Sequence, residues 1–491
     1  MSKSLSPITG TEYLLPADPD DKTRLTAFVE QHAGKQVVVV QGLGFVGAVT
    51  SLVVANALSA EYAVIGVDLP TPQGYWKIAG INGGEFPITS SDPNVQTLYE
   101  SCRQKGNLLA THDPYAYALA DIVLVDMNLD VQKAGGTFDV DLSAFTAGIE
   151  SIATRCKEDV LVLVESTVPP GACEQVVVPT LEAAFESRGL PRKFKVGHSY
   201  ERVTPGPNYI NSMRNFYRVY SGVDKASADA VQAFLETIIS VDEYPLTRLA
   251  NTKATEMAKV LENSYRAMNI AFVQEWTEFA ENAGVNLFEV IDAIRMRPTH
   301  ANLMKPGLGV GGYCLTKDPL LASWAAQSFF SAPSLPQSEA AVGINDRMPE
   351  HTFRRISAAF PDGLANRRCL LLGVSYLNDV GDTRYTPVEH LYSRLKAAGV
   401  QIQLHDPYVS FWDEQQVTVE SDLDLVLETE YDMLVICTAH SVYTKGERLK
   451  AYLERARDMM VVDTWGVLNT AELTSIGRNN RVIAIGRGDL G

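Results

Sequence analysis

The segment between residues 36 and 68 limits the possible folds of this chain more than any other. Gln36 to Gln41 (QVVVVQ) is a short β-branched run, followed directly by the turn Gly42, Leu43, Gly44, Phe45, Val46, Gly47. The helical stretch GFVGAVTSLVVANAL and a second apolar run, Tyr62 to Asp68 (YAVIGVD), complete the segment. Strand, glycine turn, helix and strand make a βαβ unit, which implies parallel strands joined by a right-handed crossover. Further apolar runs at DIVLVDM (121–127) and DVLVLVES (159–166) suit a sheet covered on both faces.

The turn matches GxGxxG in the context that gives the pattern meaning, after a strand and opening a helix. Gly42 permits the tight turn, Gly44 lets backbone approach a pyrophosphate, and Gly47 allows helix and strand to pack closely. The helix N-terminus then faces the anion. Asp68 ends the next strand, where a carboxylate can take the hydroxyls of an adenosine ribose and repel a 2′-phosphate. Leu69 and Pro70 follow it instead of an arginine, which favours NAD over NADP.

The 59 acidic against 42 basic side chains give a formal charge of -17, which repels nucleic acid and anionic membrane surfaces. A phosphate-bearing ligand must then be held locally, by helix N-termini, glycine turns and a few arginines. The polar leader (MSKSLSPITGTEYLLPADPDDKTR) has no apolar core of signal-peptide length, and no run of about 18 apolar residues occurs. A cytoplasmic location is the expectation. The six cysteines (102, 156, 173, 314, 369, 437) form no CxxC pairs, which suits a reducing compartment and argues against a metal site.

From about Thr247 to Gly284 the pattern becomes one long helix with a glycine stop. Beyond about residue 351 strand and helix alternate again, through RRCLLLGVSY, PVEHLYSRLKAAG, VQIQLHDPYV, DMLVICTA and DMMVVDTW. This half echoes the first, down to an acid ending its second strand (Asp406 beside Asp68). The expected fold is α/β, with two Rossmann-like doubly wound domains joined by a central long-helix domain. The spans are 1–245, 246–350 and 351–491, and the amphipathic helix is a candidate homodimer interface.

The segment KPGLGVGGYCLTKDP (305–319) places a lone cysteine, Cys314, after four closely spaced glycines and four residues before Asp318. Glycines there imply close approach of backbone to a ligand. A lone cysteine is more often a small buried hydrophobe, but one framed by glycines beside an acid is a candidate nucleophile.

These residues carry a resemblance to the UDP-glucose/GDP-mannose dehydrogenase family over about residues 36–470. It rests on GLGFVG, ESTVPPG (165–171), HSYERVTPG (198–206), AKVLENSYRAMNIAFVQE and GVGGYCLTKDP, in the family's order. The resemblance implies NAD as cofactor and a nucleotide sugar as substrate, its C6 alcohol oxidised twice. Cys314 would capture the aldehyde as a thiohemiacetal and then hold a thioester for hydrolysis. It further implies that Lys259 and Asn263 stabilise oxyanions, that Asp318 pairs with Lys259 and helps position water, and that Glu201 is the base for hydrolysis. Thr167 would hydrogen-bond near the reacting centre. Glu201, Arg202, Lys259, Asn263, Lys305, Gly311 and Arg384 would contact the substrate, Arg384 through its phosphates. Acidic sugars of this kind usually feed surface polysaccharide.

The ER-V-TP-G form at 201–206 resembles the UDP-N-acetylhexosamine branch more than the UDP-glucose branch. Several positions depart from the family pattern: Tyr200, Met127, Asn128, His300, Leu377, and Pro205 in place of a second glutamate. These leave open the hexose and the base. Two rivals stay open as well. One is a two-electron β-hydroxyacid dehydrogenase, which would need neither Cys314 nor a second α/β domain. The other is a non-catalytic nucleotide-binding sensor.

Overall fold

The computed structural model describes residues 3–17, 20–88, 90–134, 136–200, 202, 203 and 206–490. The chain divides into two compact units, Met1–Leu261 with Trp324–Ser334, and Glu262–Ser323 with Leu335–Gly491. The boundary falls inside a long helix, Thr252–Asn282.

The first unit is built on an eight-stranded sheet. In chain order its strands are β1 (Gln36–Gln41), β2 (Tyr62–Val67), β3 (Leu108–Thr111), β4 (Ile122–Val125), β5 (Leu161–Val164), β6 (Lys195–His198), β7 (Val219–Gly222) and β8 (Thr247–Arg248). Their order across the sheet is β8-β7-β6-β5-β4-β1-β2-β3. The 3-2-1-4-5-6 core is the doubly wound arrangement expected of a dinucleotide-binding βαβ repeat. β2, β4 and β5 are buried along their whole length, because helices cover both faces.

The sheet is not wholly parallel, since β6 pairs with β7 antiparallel, Gly197 opposite Gly222. β8 pairs with β7, so Thr247 and Arg248 belong to the sheet edge and the long helix begins at Thr252. The helix stops as its sequence suggests, with Gly284 at φ 73° two residues past its end. The leader holds an unforeseen β-hairpin, Lys3–Leu5 with Glu12–Leu14, and a helix, Lys22–Gln31.

The second unit carries a five-stranded parallel sheet of β9 (Arg368–Leu372), β10 (Gln401–His405), β11 (Met433–Ile436), β12 (Met460–Asp463) and β13 (Arg481–Ala484). The order β10-β9-β11-β12-β13 is the other common doubly wound arrangement, with its crevice beside β9. Among the described residues no helix is long and apolar enough to cross a membrane.

Candidate active site

The glycine turn of the first unit joins β1 to the helix Phe45–Ala55. Gly42 has φ 94°, and a Cβ there would meet the Asp126 carbonyl oxygen at 2.5 Å. A Cβ on Gly47 would run into the Gly42 carbonyl, so helix and turn pack only with glycine at both positions. Gly44 caps the helix with extended backbone, and nothing lies within 4 Å of where its Cβ would point. The turn is therefore open at the helix's amino end, the feature that accepts a pyrophosphate.

Asp68 stands beside this opening. The Leu43 amide donates to its Oδ2 at 3.2 Å and the Leu69 amide to its Oδ1 at 2.7 Å. Lys77 Nζ donates to the same Oδ2 at 2.6 Å, a partner that the sequence did not announce. These three donors fix the orientation of the carboxylate.

Thr167 follows β5 in a loop anchored by the Val125 carbonyl, which accepts from the amides of Glu165 and Ser166 and from the Ser166 hydroxyl. Glu165 is buried and paired with Arg218 at 2.8 Å. Further along the loop, the amides of Gly171 and Cys173 donate to the two carboxylate oxygens of Glu256, at 2.6 and 2.8 Å. Glu256 is fully buried on the long helix, three residues before Lys259. Burial pushes its carboxyl up to about 7, against the Cys173 thiol and the two amides, which favour the charged form. The loop of Thr167 and the helix of Lys259 are thereby tied together. Neither Glu256 nor Arg218 stood out in the sequence.

Lys259 is buried with its ammonium 5.5 Å from the centre of the Tyr200 ring. Arg202 approaches the same ring at 5.4 Å and donates to the Tyr200 hydroxyl at 3.1 Å. The tyrosine that departs from the family pattern thus forms an aromatic surface between two cations. Beside it His198 is fully buried, with Nδ1 2.9 Å from the Thr255 hydroxyl. Burial pulls its pKa down to about 3, so the ring is neutral. Glu201, expected as the hydrolytic base, and Pro205 lie outside the described residues. Met127 packs over Gly148.

Asn263 lies one turn beyond Lys259 on the long helix but belongs to the second unit. Its Nδ2 donates to Asp318 Oδ2 at 2.6 Å. Asp318 is fully buried, and its Oδ1 takes Lys317 Nζ at 3.0 Å. The ammonium found beside Asp318 in this unit is thus that of Lys317, which the sequence reading had not named.

Asp318 also begins the helix Asp318–Ser328, and its amide donates to the Cys314 carbonyl at 2.9 Å. Cys314 thereby sits one turn ahead of a helix amino end, surroundings that suit a sulfur reacting as an anion. It is exposed, whereas the other five cysteines are buried, and no disulfide joins any of the six.

The glycine loop ahead of Cys314 is clamped from two sides. Asn345, on the helix Pro336–Ala358, accepts from the Val310 amide at 2.8 Å and donates to its carbonyl at 2.7 Å. The Gly312 amide donates to the Arg384 carbonyl at 3.1 Å. A Cβ on Gly311 or Gly312 would press into Tyr376, which explains why the loop is glycine there.

Arg384 grips Asp382 through Nε at 2.9 Å and Nη2 at 2.7 Å, and faces the Tyr313 ring at 5.9 Å. The fold therefore brings Cys314, Asn263, Asp318, Gly311 and Arg384 into one cluster of the second unit. Lys305 pairs instead with Asp292 at 2.8 Å. His300 lies exposed in a 3₁₀ turn, Pro298–His300.

Asp406, the counterpart of Asp68, behaves differently. It is fully buried and accepts from the amides of Val374 and Ser375 at 2.9 and 3.1 Å and from the Ser375 hydroxyl at 2.8 Å. The Asp379 amide donates to His440 Nδ1, so the proton of that ring is on Nε2, 3.1 Å from Asp406. Among the described residues no cluster of histidine, cysteine and carboxylate could hold a metal.

Comparison with known proteins matches three successive segments of the chain. Residues 36–239 match the NAD binding domain of the UDP-glucose/GDP-mannose dehydrogenase family, 253–347 its central domain and 370–470 its UDP binding domain. A UDP-N-acetyl-D-mannosamine dehydrogenase of Methanocaldococcus jannaschii is 28% identical over 91% of this chain and 95% of its own. An NDP-N-acetyl-D-galactosaminuronic acid dehydrogenase of Ralstonia nicotianae is 25% identical over 90% and 98%. The solved UDP-D-ManNAc dehydrogenase of Pyrococcus horikoshii superposes with a TM-score of 0.79 at 25% identity, covering 92% of this chain and all of that one. With all three segments matched in order around a glycine turn and a glycine-framed cysteine, this chain belongs to the UDP-glucose/GDP-mannose dehydrogenase family, the NAD-dependent nucleotide-sugar dehydrogenases.

Proposed function

We propose that the chain oxidises the C6 alcohol of a UDP-N-acetylhexosamine to the carboxylate, in two two-electron steps with Cys314 as covalent nucleophile. The observation that carries this reading is the exposed Cys314 on a glycine loop clamped by Asn345 and by the Arg384 carbonyl. A single oxidation to a ketone or aldehyde needs no such thiol. The relatives named above act on N-acetylated sugars, which supports the choice of substrate.

In this reading Arg384 holds the diphosphate with a planar fork that suits phosphate oxygens. Bound NAD supplies the hydride acceptor, once for alcohol to aldehyde and once for thiohemiacetal to thioester. Cys314 adds to the C6 aldehyde between these steps. Lys259 and Asn263 donate to the oxygen that bears charge at C6. Asp318, oriented by Asn263 and Lys317, helps position the water that cleaves the thioester, and Glu201 acts as its base. The products are one uronic acid, two NADH and the regenerated thiol.

The reading takes 1–245 as the cofactor domain, 246–350 as the central domain and 351–491 as the nucleotide-sugar domain, and the three matched segments fall within these spans. It also takes the protein to be a cytoplasmic homodimer. Tyr265, Phe272, Trp276 and Phe279 are exposed along one stripe of the long helix, at spacings of seven, four and three residues. A second copy would cover them.

The test is a screen of UDP-GlcNAc, UDP-GalNAc, UDP-ManNAc, UDP-glucose and GDP-mannose, with NADH and acid both counted. The expected result is two NADH per acid on a UDP-N-acetylhexosamine. One NADH per product, with no acid, overturns the reading in favour of a two-electron dehydrogenase.

A further inference from the structure

We propose that the N-terminal hairpin is a clasp that sets the enzyme's affinity for its dinucleotide. Residues 3–14 precede the family's matched segment, which begins at residue 36, yet they are built into the segment that follows Asp68. The hairpin pairs Ser4 with Tyr13 and Leu5 with Glu12. Ser4 and Ser6 are fully buried, unusual for serines in a terminal hairpin, and both hydroxyls are used.

The Ser4 hydroxyl donates to the Pro72 carbonyl at 2.6 Å and accepts from the Trp76 amide at 2.9 Å. Glu85 collects three further hydroxyls. Ser6 and Thr9 reach its Oε1 at 2.6 and 2.9 Å, and Tyr13 reaches its Oε2 at 2.8 Å. Burial would raise the Glu85 carboxyl, but these donors hold it below its ordinary value.

The segment between Pro72 and Glu85 is therefore gripped at both ends and at Trp76. Trp76 is itself buried, and its neighbour Lys77 is the residue that donates to Asp68 at 2.6 Å. The hairpin fixes the first turn of the helix Tyr75–Gly83 and so fixes where the Lys77 ammonium meets the carboxylate. Without the hairpin, the bend 69–74 would have two glycine- or proline-bounded ends and no partner for the Pro72 carbonyl or the Trp76 amide. Ordering residues on binding costs backbone entropy, so a loop ordered beforehand binds more tightly. The clasp acts through position and touches no reacting atom.

The proposal rests on Asp68 being the ribose-facing carboxylate, and the experiment separates the two. Dissociation constants for NAD and, as a ligand of the second unit, UDP are measured by calorimetry. The proteins are the untruncated 491-residue chain, a chain lacking residues 1–15, the double variant Ser6→Ala/Tyr13→Phe, and Asp68→Ala. Melting temperatures are recorded for all. The expected result is NAD binding weakened about tenfold by truncation and severalfold by the double variant, with UDP binding unchanged and kcat within twofold at saturating NAD. A double variant that melts normally and binds NAD as the parent does overturns the clasp. So does one that loses UDP binding in step with NAD binding, because the hairpin is then a general stability element. Unchanged NAD binding by Asp68→Ala overturns the ribose assignment instead.

Discussion

Alanine at Gly311 tests whether the glycine loop fixes the thiol. The backbone there is not left-handed, so the new side chain meets only a problem of space. Its Cβ would stand 2.7 Å from Tyr376 Cβ and 3.0 Å from Pro387 Cδ, and against the Tyr385 carbonyl oxygen. Ordinary Cβ contact begins at 3.4 Å, so loop or neighbours must give by at least about 0.7 Å. Neither side gives freely, because Val310 is bound at both its amide and its carbonyl by Asn345 and Gly312 is bound to Arg384. Overpacking of this kind costs about 1–3 kcal/mol. A shift approaching 1 Å at a reacting centre costs roughly 100-fold in rate. Cys314 is three residues along, so kcat for NADH formation is expected to fall about 10- to 100-fold while iodoacetamide still alkylates the exposed thiol. Gly343→Ala is the control. Its Cβ meets only the flexible end of Arg347 at 3.3 Å, and the rate is expected to be unchanged. A Gly311→Ala enzyme with kcat within twofold of the parent would refute the positioning argument.

Three further outcomes are expected. Cys314→Ser abolishes acid formation by more than about a thousandfold, on the scale of nucleophile replacements, and normal acid output from it excludes a covalent sulfur. Arg384→Lys keeps a charge but loses the fork, so KM for the nucleotide sugar rises about tenfold while KM for NAD holds, and equal changes in both point to a structural role. Glu256→Gln removes a titration. The folded carboxyl is raised to about 7 from 4.5, chiefly by burial, so its contribution to stability is present below pH 4.5 and lost as pH rises through 7. The shift is worth on the order of 3 kcal/mol at most. The parent's melting temperature should therefore fall relative to the variant's across that window, and parallel curves would show that Glu256 is not protonated there.

The parts of this enzyme legible in its sequence are those set by neighbours along the chain. β1, its glycine turn and the following helix stand where QVVVVQ and GLGFVG suggest, because a buried parallel strand and a glycine turn are both local patterns. Cys314 and Asp318 could be paired from a four-residue spacing. What was missed is held by partners far away in the chain. Glu256 reads as one polar position on an amphipathic helix, and only the fold carries residues 171 and 173 to it. Asn345 likewise gives no signal of its hold on Val310, 35 residues earlier. The hairpin was hidden because its strands are three residues long and the one side chain they bury is a serine, so no apolar alternation marks them. β7 was missed for a related reason: VYSG is short and ends in two small residues, so it offers too little hydrophobic contrast to be read as a strand.

Asp406 shows how far the two sheets have parted. Its carboxylate is consumed by the turn it borders, through Val374, Ser375, Tyr408 and His440. Freeing it for an adenosine would leave three amides, those of Val374, Ser375 and Tyr408, and a hydroxyl without their acceptor, so no single exchange could convert the second crevice to the trade of the first. Any redesign toward a second dinucleotide would have to rebuild 374, 375, 406, 408 and 440 together, because all of them share one buried carboxylate.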